Sequence, residues 1–88
     1  MKVTANARER LESYLHGEGG DLVPAILWAL ASERSRDGEW IVGFYERSKI
    51  VGDWLVRIDE IEFYVDPVDL PKLAGKTLDF NAGRFEFA

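Results

Sequence analysis

Apolar positions recur along this chain with two different periods. From Thr4 to His16 they fall at Ala7, Leu11 and Leu15, with Tyr14 beside them. That spacing of four makes one stripe on an α-helix. Thr4 is the expected N-cap, because its hydroxyl accepts a bond from a free backbone N–H of the first turn. Arg8, Glu9, Arg10 and Glu12 take the wet face. His16 lies in the last turn and Gly17 follows it, the usual chemistry of a helix end. Gly17-Glu18-Gly19-Gly20 then reads as a flexible loop.

The stretch Asp21–Ser32 fits two readings. Asp21 can cap a helix through Ala25, Leu27, Ala29, Leu30 and Ala31. Read as a strand, the same residues put Ile26, Trp28 and Leu30 on one face and Leu27 with the alanines on the other. Periodicity alone does not separate the two. The residues after Ser32 favour the strand. Ser35-Arg36-Asp37-Gly38 is a turn, and Asp-Gly is a strong hairpin signal. Beyond it Trp40, Val42 and Phe44 alternate with Ile41, Gly43 and Tyr45, a period of two.

Glu46–Asp53 is a polar, glycine-containing connection. Trp54, Val56 and Ile58 alternate again, and Asp59-Glu60 separates them from Ile61, Phe63 and Val65. This predicts a second hairpin with a two-residue loop. Glu60 suits such a loop poorly, since the favoured turn needs positive φ at both positions, so strain or a wider turn is expected. Asp66-Pro67 opens a short helical turn, with Asp66 as N-cap, Pro67 first in the helix and Asp69 near the positive end of the dipole. Pro71 disfavours helix at Leu70 and keeps the turn short. Leu70 and Leu73 are expected to point inward, and Gly75 ends the turn. Thr77–Phe80 is extended, Asn81-Ala82-Gly83 turns the chain, and Phe85 and Phe87 form a last strand with Arg84 and Glu86 outside. The expected class is α+β, mainly β, in one domain over 1–88.

Composition narrows the choice of function. Of 88 residues 47% are hydrophobic, and the aromatics number three Trp, three Tyr and five Phe, which argues against disorder. A chain this short needs nearly every large apolar residue for one core. The formal net charge is -5, and the basic pairs Arg8/Arg10 and Arg34/Arg36 are interleaved with acids, which disfavours nucleic acid and anionic lipid as partners. There is no cysteine, so disulfides, thiol nucleophiles and thiolate metal sites are absent together. Met-Lys-Val-Thr followed by charged residues shows no signal-peptide pattern. The longest apolar run, Leu22–Ala31, is too short to span a bilayer. A cytoplasmic protein with no membrane contact is expected.

Gly52-Asp53, Asp59 at the hairpin, Phe63-Tyr64-Val65-Asp66-Pro67, then Leu70, Leu73, Gly75, Leu78-Asp79-Phe80 and Gly83 with Phe85 and Phe87 form a connected pattern. It resembles the HesB-type, or A-type iron–sulfur assembly, family. That family carries a Gly-Asp, a valine-rich hairpin, an Asp-Pro-x-Ser-Leu-x-x-Leu-x-Gly turn, an Ile-Asp-Tyr segment and a Gly-Phe-x-Phe strand. The spacing from Asp53 to Phe80 needs no gap, and Thr4, Leu11 and Leu15 fit the family's first helix. The resemblance implies a HesB-like domain with an N-terminal helix, antiparallel hairpins and one short helical turn after Asp66-Pro67. The family's cysteines have no counterpart. The stretch matching the first is near Ser35-Arg36-Asp37-Gly38, and the chain stops at Ala88 before any Cys-Gly-Cys tail. No functional residue of the family carries over.

Other candidate chemistry is sparse. His16 is the only histidine, which a metal site or triad within one chain cannot use alone, and it suits a helix C-terminus. Glu60, Glu62, Asp66 and Asp69 are close in sequence, but Asp66 fits a cap, Glu62 fits a wet strand face, and no EF-hand spacing occurs. Ser13, Ser32, Ser35 and Ser48 lack a nucleophile-elbow motif. Gly17–Gly20 is followed by Asp21, which repels phosphate. Trp28, Trp40 and Trp54 divide between core and surface, since a small domain rarely buries three indoles fully. Trp28 and Trp40, with Tyr45, are the candidate interaction surface. Catalytic, cofactor and metal residues are expected to be absent.

The leading expectation is a non-catalytic HesB-like domain that has lost cluster ligation and acts through protein–protein contacts, with a partner or with itself as a homodimer. One alternative is an iron–sulfur assembly accessory that binds metal through a partner. Another is a small-ligand binder or an enzyme of unknown class.

Overall fold

The computed structural model describes residues 1–15, 21–30, 38–50 and 52–88. The expected loop at Gly17–Gly20, His16 and the turn at Ser35–Asp37 lie outside the described residues. The fold is mainly β with one α-helix. In chain order the elements are β1 (Lys2–Val3), α1 (Ala5–Leu15), β2 (Leu22–Leu30), β3 (Gly38–Glu46), β4 (Leu55–Ile58), β5 (Ile61–Val65), β6 (Thr77–Asn81) and β7 (Arg84–Phe87). Short 3-10 turns cover Arg47–Lys49, Gly52–Trp54 and Leu70–Leu73.

α1 starts where its cap predicts. The Ala7 N–H donates to Thr4 Oγ1 at 3.2 Å, and the Arg8 N–H closes the first turn on the Thr4 carbonyl at 2.9 Å. Thr4 is held in turn, because its hydroxyl donates to Asp79 Oδ1 at 2.6 Å on β6. An 11-residue helix is marginal alone in water, so packing must hold it. Ala7 and Leu11, one helical turn apart, are both fully buried.

Two mixed sheets share that core. One has the order β1-β6-β7 and the other β3-β2-β5-β4. The ambiguous stretch is strand over Leu22–Leu30, with β2 antiparallel to β3 over the whole run from Leu22–Glu46 to Leu30–Gly38. Two parallel pairings join elements far apart in sequence: β1 with β6, and β2 with β5 at Ala25–Tyr64 and Ile26–Val65. Period two then sorts the faces. Ile26, Phe63 and Val65 meet Val3, Ala7, Leu11, Leu73 and Leu78 in one buried cluster, edged by Trp40, Val42 and Phe44. Full burial of each large side chain contributes roughly 1.5–3 kcal/mol.

The hairpins follow local chemistry, with adjustments. Asp59 and Glu60 take φ of 49° and 70°, so the loop keeps two residues and strains Glu60 rather than widening. Ala82 and Gly83 do the same between β6 and β7, with φ of 53° and 80°. Trp54 closes a 3-10 turn and β4 begins only at Leu55. The helical turn after Asp66 also starts later than expected. Asp66 Oδ1 accepts the Val68 N–H at 2.9 Å, but the 3-10 turn runs Leu70–Leu73 from Asp69, with Pro71 in its first positions. Early helical positions need no N–H donor, which is why Pro71 enters this turn instead of excluding it.

Candidate functional site

Trp28 and Trp40 stand directly opposite each other on β2 and β3, so both project from the core-facing side of the sheet. Their rings meet edge to face, with centroids 4.9 Å apart and planes at 64°. Trp40 packs against the core and reaches Phe87 of β7, with centroids 6.3 Å apart. Trp28 sits beyond the core's end and stays 43% exposed. Its position depends on Gly38. A Cβ built there would fall 2.7 Å from two atoms of the Trp28 ring and 2.8 Å from the Ala29 carbonyl oxygen. The indole therefore occupies the room that any larger residue would fill.

This aromatic step forms one wall of an open cleft of about 660 Å³ between β3 and β7. Phe85 and Phe87 line the other side, and Glu39, Glu86, Lys76 and Arg84 ring it. The volume falls within the range of roughly 300–1,000 Å³ typical of ligand pockets. Chemically the cleft offers aromatic faces and mixed rim charge. These suit an apolar or aromatic side chain with one polar end.

Tyr45 lies elsewhere. One step of period two places it on the outer face of β3, 38% exposed, with its ring 5.6 Å from Tyr64. Trp54 stacks on Tyr64 from the other side at 5.2 Å. The three predicted surface residues are thus divided between two faces of one sheet.

The acidic residues have structural partners. Glu62 and Asp21 both accept from the Arg47 guanidinium, and the Arg47 N–H donates to the Asp21 carbonyl at 2.8 Å. The hydrogen bonds that Arg47 donates to Glu62 first and Asp21 second hold it above the ordinary arginine pKa. This clamp ties the β3–β4 connection to the start of β2 and to β5. Asp69 pairs with Lys72 at 3.6 Å. Glu60 is exposed at a hairpin tip. Among the described residues no three His, Cys, Asp or Glu side chains gather as a metal site. Ser13 and Ser48 are exposed, and Ser32 and Ser35 lie outside the described residues.

Sequence reading missed two features. The Arg47 clamp has no local signal, because its acids come from residues 21 and 62. The second is Asp59, whose Oδ2 accepts the Val3 N–H at 2.9 Å while its carbonyl accepts Arg8 Nη2 at 2.9 Å. Its one sequence cue was an aspartate in a two-residue loop, a residue type that tolerates positive φ.

Among the described residues no helix is long and apolar enough to cross a membrane. No family model matches the chain, and no curated protein matches it closely enough to establish kinship.

Proposed function

We propose that the chain is a non-catalytic HesB-like domain that no longer ligates a cluster and acts by docking a protein partner at the Trp28–Trp40–Phe87 cleft. The observation that carries this reading is the Trp28 indole, 43% exposed and seated against Gly38. Hot spots of protein interfaces are enriched in tryptophan, and a large aromatic held in one place loses little entropy on binding. The family pattern from Gly52 to Phe80 supports the scaffold half of the proposal, and the complete lack of cysteine supports the loss of ligation. The cleft's size favours one second reading, a small amphipathic ligand bound in the same place.

The test compares affinity capture by wild type and by Trp28→Ala, with urea unfolding as a check on folding. The proposal expects a stoichiometric partner lost in the variant while its unfolding midpoint is kept. Equal capture by both proteins refutes docking at Trp28, and a co-purifying metabolite lost in the variant favours the second reading. Loss of ligation is tested by anaerobic reconstitution with iron and sulfide. Cluster irons are held by thiolates with occasional histidine, so no visible sulfide-to-iron band should survive desalting. A band with acid-labile sulfide in proportion to protein would instead support the iron–sulfur accessory reading.

A further inference from the structure

β3 bonds β2 along all nine of its residues, and among the described residues no strand bonds its other side. Such an edge presents a row of unpaired N–H and C=O groups. Proteins commonly blunt it with proline, charged side chains (lysine above all) or a bulge. β3, with the sequence GEWIVGFYE, has neither proline nor lysine, its two charges Glu39 and Glu46 sit at its ends, and its register with β2 runs unbroken. β7 approaches through the Phe87 ring near Trp40, on the core side, and forms no ladder with β3.

The outer face of this strand carries Ile41 and Tyr45, 37% and 38% exposed, with Gly43 between them. We infer that β3 pairs antiparallel with β3 of a second copy across a two-fold axis at Gly43. This register sets Ile41 opposite the partner's Tyr45 and Tyr45 opposite the partner's Ile41. The strand's two large exposed apolar side chains then cover each other twice. No two acids stand opposite each other, and Glu39 falls where the partner's chain has left β3 for its 3-10 turn. Moving the axis to Val42 sets Ile41 against glycine and Glu39 against tyrosine, losing the Ile41–Tyr45 pairs. The occupant is a second copy because the complementarity is the strand's own, as a two-fold interface requires. The inference rests on strand order and register, independently of the Trp28 cleft.

Gly43→Cys tests it. The chain has no other cysteine. A Cβ at Gly43 meets nothing nearer than Leu27 Cδ1 at 3.8 Å, so the variant should fold. Opposed residues of an antiparallel pair lie about 4.5–5.5 Å apart at Cα, within the disulfide range. Wild type should sediment as a dimer at high micromolar concentration. Oxidation of Gly43→Cys should link dimers roughly tenfold or more faster than oxidation of Glu9→Cys on the exposed side of α1, because pairing raises the local thiol concentration. Gly43→Lys sets two like charges at the axis and should sediment as a monomer with its thermal unfolding kept. A wild-type monomer, equal cross-linking at residues 9 and 43, or a folded Gly43→Lys dimer would each overturn the seam.

Discussion

Replacing Asp59 should destabilise the fold in a graded series set by what each substitute keeps. Asp59 holds the tip of the β4–β5 hairpin onto β1 and α1. Its Oδ2 accepts the N–H of Val3, a residue only 8% exposed, at 2.9 Å. Its carboxylate also lies 3.6 Å from Arg8, with both side chains about a third exposed. Its backbone sits at φ 49°. Asp59→Ala removes a charged acceptor from a largely buried donor, a loss of about 1.5–3 kcal/mol. The partly exposed ion pair adds ~0–1 kcal/mol. A methyl side chain in the left-handed region costs ~1 kcal/mol more. The sum is about 2.5–5 kcal/mol, a large share of the roughly 4–13 kcal/mol expected for a domain this size. Asp59→Gly keeps the turn but loses the acceptor, and should cost about 2 kcal/mol. Asp59→Asn keeps both a neutral oxygen and the tolerance of positive φ, and should cost about 1 kcal/mol. Urea unfolding followed by tryptophan fluorescence reads the series, provided the slope m is constant across it. Equal destabilisation by Asn and Ala, or an Ala variant within about 0.5 kcal/mol of wild type, would refute the reasoning.

Two further substitutions probe other joints. Gly38→Ala should expel the Trp28 ring and press on the Ala29 carbonyl, costing about 1–3 kcal/mol and shifting indole emission to the red; an unchanged spectrum would contradict the packing assigned to Gly38. Asp66→Ala removes the acceptor for the Val68 N–H and should cost about 1 kcal/mol in thermal or urea unfolding. If stability held while partner binding disappeared, Asp66 would belong to an interface instead.

Elements with a local cause were legible in the order of residues. Thr4 caps α1 through a bond that spans three residues, and the stripe Ala7–Leu11 needs only the helical period. The alternation in Trp40–Tyr45 and Ile61–Val65 already separates core from outer face, so Tyr45 could not share a face with Trp40. The hairpin at Asp59-Glu60 was legible too, including the awkward fit of Glu60. Features that depend on residues far apart were settled by tertiary packing. Asp21–Ser32 suits helix and strand equally in isolation, and the pairings of its described part with β3 and β5 select the strand. The parallel ladders β1–β6 and β2–β5, the Arg47 clamp and the Asp59–Val3 bond leave no mark on the residues beside them. The contrast between Trp28 and Trp40 has the same origin. Both alternate correctly and face each other, yet one indole packs against the core and the other overhangs its end. Alternation sets the direction of a side chain, but only the neighbouring sheet and helix decide whether anything lies in that direction to cover it.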